Sequence, residues 1–173
     1  MDYSNLTIVR PPDISSKWLF KDQLGALRVR FSIGRNSYRV KPGLYRLGKP
    51  GKNSDVLVSA NYKLSFDVLR KNLDGLDAWI LVLDTHGINV WCAAGKGTFS
   101  TEEVVKRVNS IGLEKIVRHN KLILPQLSAV GVSAREVKKR CGFKVIWGPV
   151  RAADIKAFIN NGMKAAASMR RVT

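Results

Sequence analysis

Six consecutive apolar residues, Ala78-Trp-Ile-Leu-Val-Leu83, lie near the middle of this chain. A run with no polar side must be covered on both faces, which is the environment of a buried strand in a parallel sheet. It is far short of the ~20 residues a membrane span requires. Around it, short apolar strands alternate with helical periodicity. Residues 56–58 read as a strand, and 62–72 carry Leu64, Val68 and Leu69 at helical spacing. Residues 79–83 follow as the apolar strand. A helix is predicted over 101–111, capped by Ser100 or Thr101, with Glu102 and Glu103 in its first turn and Gly112 past its end. Residues 122–124 form a strand stopped by Pro125. Ser133 caps a helix running to about 141, residues 143–147 form a strand ending in Gly148-Pro149, and 151–160 form a last helix. Four βα steps in series predict an α/β fold: an open, mostly parallel sheet flanked by helices, Rossmann-like in class.

The first 50 residues read differently. Residues 16–27 suit an amphipathic helix, with Trp18, Leu19, Leu24 and Leu27 as candidate core positions and Ser15 or Ser16 as cap. Residues 38–40 and 44–47 flank Pro42-Gly43 and suggest a small hairpin. We expect 1–50 to be an N-terminal extension with a short helix and a hairpin, packed on a main body of 51–173. At 173 residues the chain suits one ordinary domain with an adequate core.

Thirty Lys and Arg stand against thirteen Asp and Glu, a net charge of +17. The excess is spread along the chain, so no single tail explains it. It implies an anionic neighbour (nucleic acid, an acidic protein or an anionic membrane surface) or simply a well-solvated basic surface. A nucleic-acid-binding module is the remote reading, because no groove-reading signature or aromatic interleaving accompanies the charge. The opening Met1-Asp2-Tyr3-Ser4-Asn5 is polar with no apolar run behind it, so a cytoplasmic chain is expected. Cys92 and Cys141 form no C-x-x-C or Cys/His cluster and are expected to be reduced thiols without a structural zinc.

Two phosphate-loop lookalikes fail. Gly43-Leu-Tyr-Arg-Leu-Gly48-Lys49 fits G-x-x-x-x-G-K, but Pro50 replaces the Ser/Thr that would hold magnesium. Gly95-Lys-Gly97 lacks the remaining glycines of either nucleotide motif. Asp84-Thr85-His86 fits the first half of a cobalt-histidine motif, D-x-H-x-x-G, but Asn89 stands where the glycine belongs; His86 reads as a polar residue at a strand end. In open parallel sheets ligands bind at the carboxyl ends of the strands. That points to residues 59–62, 84–98, 125–127 and 148–150.

Within these, residues 87–99 carry the chemistry. Asn89 is a good N-cap, Val90 to Ala94 make just over one turn, and Gly95 can take a left-handed closing position. Cys92 then lies in the first turn, beside unpaired N–H groups and the positive dipole end, surroundings that favour a thiolate. Ala93 and Ala94 are small enough for a flat ligand to lie against the helix. A buried structural cysteine reads equally well from these local features.

Asn89-Val-Trp-Cys-Ala-Ala-Gly-Lys96 resembles the cap-helix motif of the corrinoid protein of the bacterial and archaeal mercury-methylation pair. Ser59-Ala-Asn-Tyr-Lys-Leu-Ser-Phe-Asp67, Leu122-Ile-Leu-Pro-Gln126 and Gly148-Pro-Val-Arg151 resemble further segments of that domain, over about residues 50–173. The domain is similar in turn to the corrinoid-binding domain of the corrinoid iron–sulfur protein large subunit, which has no Cys at this point. The resemblance implies a cobamide bound base-off over a cap helix at 89–95, with Cys92 as the lower axial ligand of cobalt and catalytic centre. It implies that Asn89 caps and orients the helix, that Trp91 packs it onto the sheet or faces the corrin, and that Ile88, Val90, Ala93 and Gly95 line the lower face, with Ser59, Leu64, Gln126 and Gly148 among the strand ends around the nucleotide tail. Lys96 meets a corrinoid polar group or solvent. The implied activity is a corrinoid-dependent methyltransferase that delivers methyl from cobalt to Hg(II). The implied partners are a ferredoxin-like electron donor and a methylated folate, or its methyltransferase, as methyl source. A methyl carrier of acetyl-CoA metabolism without mercury activity is the alternative. The mercury-methylation family continues into a transmembrane region that this sequence does not include, so the resemblance implies either an excised soluble domain, whose full-length protein would lie at the inner face of the cell membrane, or a shortened relative.

Overall fold

The computed structural model describes residues 10–17 and 39–171. Apart from Ser16 and Lys17, the helix expected over 16–27 lies outside the described residues. The described elements form a six-stranded, mostly parallel sheet with helices on both faces. In chain order they are β1 (Asp13–Ile14), β2 (Gly43–Leu47), β3 (Val56–Ala60), α1 (Lys63–Asn72), β4 (Ala78–Leu83), α2 (Val90–Gly95), α3 (Thr101–Ile111), α4 (Leu113–Ile116), β5 (Lys121–Leu124), α5 (Ala134–Cys141), β6 (Lys144–Trp147) and α6 (Ile155–Asn160). Single 3₁₀ turns lie at Gln126–Ser128, Ala152–Asp154 and Ala167–Arg170.

The sheet order is β1-β2-β4-β3-β5-β6. β4, β3, β5 and β6 run parallel, and the six-residue apolar run is β4, buried at every position as its composition requires. Side chains alternate strictly between two cores. Val56, Val58, Leu81, Leu83, Leu122 and Leu124 face α3 and α5, whereas Leu57, Ile80, Val82 and Ile123 face α1 and α6. Phe158 of α6 is wholly buried in the second core. Its replacement by alanine is expected to cost about 3–5 kcal/mol, read as a lowered urea midpoint with unchanged slope.

The expected hairpin is corrected. Gly43–Leu47 pairs antiparallel with β4, in register from Gly43↔Val82 to Leu47↔Ala78, while Arg39 bridges to Tyr62. The two sides of Pro42-Gly43 therefore part, residues 43–47 into the sheet between β1 and β4 and Arg39 toward Tyr62, just past the carboxyl end of β3. The alternation that suggested a hairpin is met by a strand that lies beside a partner distant in sequence. Parallel to β2, β1 adds two residues, and the Arg46 guanidinium lies 3.3 Å from the Asp13 carboxylate. Arg70, nearly buried on α1, holds the neighbouring segment: Nη1 donates to the carbonyls of Ser15 (2.6 Å) and Lys17 (3.0 Å), and Nε to buried Asp67 (2.8 Å).

Candidate functional site

Strand order places the site. From β3 the chain crosses to β4 on one side, then returns over β3 to β5 on the other. Connections leaving β3 and β5 in opposite directions open a crevice at their carboxyl ends, where ligands bind in such sheets. A cleft of about 560 Å³ lies there. Leu57 and Ser59 of β3, Ile123 at β5 and Gly148 after β6 line it. Leu64, Ser65, Val68 and Leu69 of α1 form one side, and Asn89, Val90 and Trp91 of α2 meet it at another.

α2 is one turn long and fixed at both ends. The Asn89 side chain accepts from the Cys92 N–H at 3.0 Å, so the cap is made as its sequence predicts and occupies the cysteine's own amide. The Ala93 carbonyl accepts from the N–H groups of Thr98 (2.9 Å) and Phe99 (3.1 Å). Ala93 and Ala94 are buried against Phe99 and the first core, so α2 turns its small face inward and leaves Trp91 and Cys92 exposed. Trp91 keeps 69% of its surface in solvent. Gly131 lets the 126–133 segment press against this helix: a Cβ there would meet the Phe99 carbonyl oxygen at 2.3 Å and Ala94 Cα at 3.0 Å.

Of the residues named from sequence, Ser59, Leu64, Asn89, Val90, Trp91 and Gly148 come together around the cleft. Cys92 is exposed beside it on α2. Ile88 packs partly into the first core, and Ala93, expected on a ligand face, is fully buried beneath the helix. Gly95 is exposed within the helix, and the left-handed closing position falls two residues later, at Gly97 (φ 76°). Gln126 accepts a hydrogen bond from Arg170, and its neighbour Leu127 lines the cleft in its place. Exposed Lys96 follows the helix end.

Tyr62, Ser65, Val68, Leu69, Leu127 and Arg151 also line the cleft and were not singled out as site residues. A signal existed. Leu64, Val68 and Leu69 are the stripe by which α1 is recognised, yet they are only half-buried, while Phe66, Asp67, Arg70 and Leu73 carry the buried side. An apolar stripe reads alike whether protein or ligand is to cover it.

The second thiol is of another kind. Cys141 Sγ donates to the Val137 carbonyl at 3.2 Å, and burial pushes its pKa above the ordinary thiol value. Both cysteines are free. Among the described residues no three His, Cys, Asp or Glu side chains gather to hold a metal ion, and no helix is long and apolar enough to cross a membrane.

Comparison with known proteins gives a family match. A family profile described as the CO dehydrogenase/acetyl-CoA synthase delta subunit matches residues 20–159. The acetyl-CoA decarbonylase/synthase complex subunit gamma of Methanopyrus kandleri is 28% identical over 159 residues, covering 91% of this chain and 33% of the relative. The gamma 2 subunit of Methanosarcina thermophila is 32% identical over 123 residues, 67% of this chain and 25% of its own length. The corrinoid/iron-sulfur protein large subunit of Moorella thermoacetica is 29% identical over 122 residues, 69% of this chain and 27% of its own. The chain thus spans a quarter to a third of the length of these relatives.

Proposed function

The chain belongs to the CO dehydrogenase/acetyl-CoA synthase delta subunit family, and from that membership we propose that it binds a cobamide at the β3/β5 cleft and serves corrinoid-dependent methyl transfer. The observation that carries this reading is an exposed thiol on a one-turn helix at the mouth of a largely apolar cleft. The donor set suits the group. Cys92 offers a single sulfur, and among the described residues it belongs to no group of three or more His, Cys, Asp or Glu side chains. A metal held there must bring its other donors with it, as cobalt in a corrin brings four ring nitrogens. When bound, a cobamide supplies a cobalt centre that accepts and gives up a methyl group.

The chain's own residues then divide the work. Asn89 orients the first turn, and buried Ala93 and Ala94 anchor it, so the sulfur stands out from the protein surface. Trp91 offers an aromatic face to the corrin's edge or underside. Ser59, Leu64 and Gly148, with the unanticipated Leu69 and Leu127, enclose the nucleotide tail. Arg151 at the rim supplies a cation for the tail's phosphate. Lys96 stands clear of the cleft and meets solvent or a peripheral polar group of the corrin.

The names of the relatives favour a methyl carrier of acetyl-CoA metabolism within a protein complex. A second reading, methyl delivery to Hg(II), is favoured by Cys92 in its eight-residue motif, because a thiolate there would give the metal of a bound cobamide a strong sulfur donor, which would suit transfer to a thiophilic metal. In either case the charge of +17 suits an acidic, ferredoxin-like electron donor. The test is to titrate the chain with methylcobalamin and follow the visible spectrum. A stoichiometric change on binding is expected, and a spectrum identical to that of the free cofactor would overturn the proposal.

A further inference from the structure

We infer that Asn61, a residue outside the cleft lining, is the positioning residue that sets where Cys92 stands. The inference concerns the protein's own geometry, and its link to cobalt rests on the cobamide reading above. Asn61 follows the carboxyl end of β3 and is 3% exposed. Its Oδ1 accepts from two backbone donors of the β4–α2 loop, Thr85 N–H at 3.0 Å and Gly87 N–H at 2.9 Å, and lies 2.9 Å from Thr85 Oγ1, whose single proton it shares with the Ile88 carbonyl. Its Nδ2 donates to Asp84 Oδ1 at 3.1 Å.

The loop needs such a hold. His86 and Gly87 are consecutive left-handed residues (φ 57° and 73°), and such a backbone persists only where its surroundings over-determine it. Asp84 Oδ1 accepts from the His86 N–H at 3.1 Å, so the carboxylate that Asn61 engages also fixes the strained residue. The turn closes through Ile88 N–H to the Thr85 carbonyl (3.0 Å), and the Thr85 hydroxyl lies 2.7 Å from the Ile88 carbonyl. Asn89 comes next and caps Cys92. A path of hydrogen bonds thus runs from β3 to the thiol-bearing turn without passing through the sheet. A six-residue helix cannot hold its own shape or place in water. Its position is imposed by what grips its entry, and Asn61 grips it from the same connection that carries the cleft residues Ser59 and Tyr62.

Asn61→Asp keeps the acceptor but loses the donor and sets two carboxylates together. Adding Asp84→Asn removes the second carboxylate and returns a donor to the pair with the direction reversed, but that donor takes the place of the oxygen that accepts from the His86 N–H. Wild type, both single variants and the double variant would be compared as full chains without cobamide. Amide exchange over residues 85–95 would be read by mass spectrometry. Asn61→Asp is expected to accelerate it by about tenfold or more, and the double variant to recover part of that loss, exchanging at least about threefold more slowly than Asn61→Asp. Two results would overturn the inference: wild-type rates in Asn61→Asp, or a double variant that regains thermal stability while its loop exchanges as fast as in the single. Hydroxocobalamin spectra of the same proteins separate the two readings. Loop rates that follow the pattern with no spectral change in wild type would sink the cobamide proposal and support the clamp.

Discussion

Cys92→Ala is expected to leave the fold unchanged and, if Cys92 holds the metal of a bound cobamide as proposed, to remove the cysteine-dependent features of the bound-cobamide spectrum, together with any methyl transfer to Hg(II) on the second reading. The side chain is exposed and its Sγ is no part of the core, so alanine leaves no cavity. The cap survives too, because Asn89 bonds the backbone N–H of residue 92. Losing an outer partner of a metal ligand typically costs 10–100-fold in affinity or activity, and removing the ligand itself exceeds that range, to about 100-fold or more. Spectra and single-turnover methyl transfer, wild type against variant, make the measurement. A variant that keeps both the wild-type spectrum and its methyl-transfer rate would reduce Cys92 to a bystander. It would leave a carrier of the acetyl-CoA type as the surviving reading. Cys141 provides the control, since Cys141→Ala removes a half-buried thiol far along the sequence and should not alter the spectrum.

The second large effect belongs to Gly131. A methyl group there would sit 2.3 Å from the Phe99 carbonyl oxygen and 3.0 Å from both Ala94 Cα and its carbonyl oxygen, and all of these are backbone atoms. Flexible side chains can step aside, whereas backbone must shift as a unit. Gly131→Ala is therefore expected to destabilise the protein by about 3 kcal/mol, the upper part of the range for overpacking. The shift falls on α2, since Ala94 is buried under it. Chemical denaturation gives the stability term, and a weakened cobamide complex in the folded variant gives the positional one. Wild-type behaviour in both would show that the 126–133 segment yields freely.

These expectations show what the sequence could and could not disclose. The strand–helix alternation, the caps at Asn89, Ser100 and Ser133 and the stops at Gly112 and Gly142 are local events, and each stands within a residue or two of its predicted place. The position of Gly43–Leu47 is not local. Its partner β4 lies some thirty residues on, and nothing in its own alternation names that partner. The site divides in the same way. A capped helix carrying a thiol was legible from Asn89 and Cys92, because capping is short-range chemistry, whereas the exposure of that thiol was not. Which alanine face turns inward, and that Leu127 rather than Gln126 reaches the cleft, depend on how separate segments pack. Asn61, inside the segment 59–62 to which the strand ends pointed, was given no role for a similar reason: a lone asparagine after a strand has no signature until the loop it grips is beside it.

A synthetic peptide spanning 84–98 would contain the thiol, its capping asparagine and the whole eight-residue motif, and still lack what orients them. Free in water it would be a flexible coil that offers sulfur in every direction to any soft metal. Grafting the motif onto another scaffold would therefore require transplanting Asn61 and Gly131 as well, two residues that no search for the motif would retrieve.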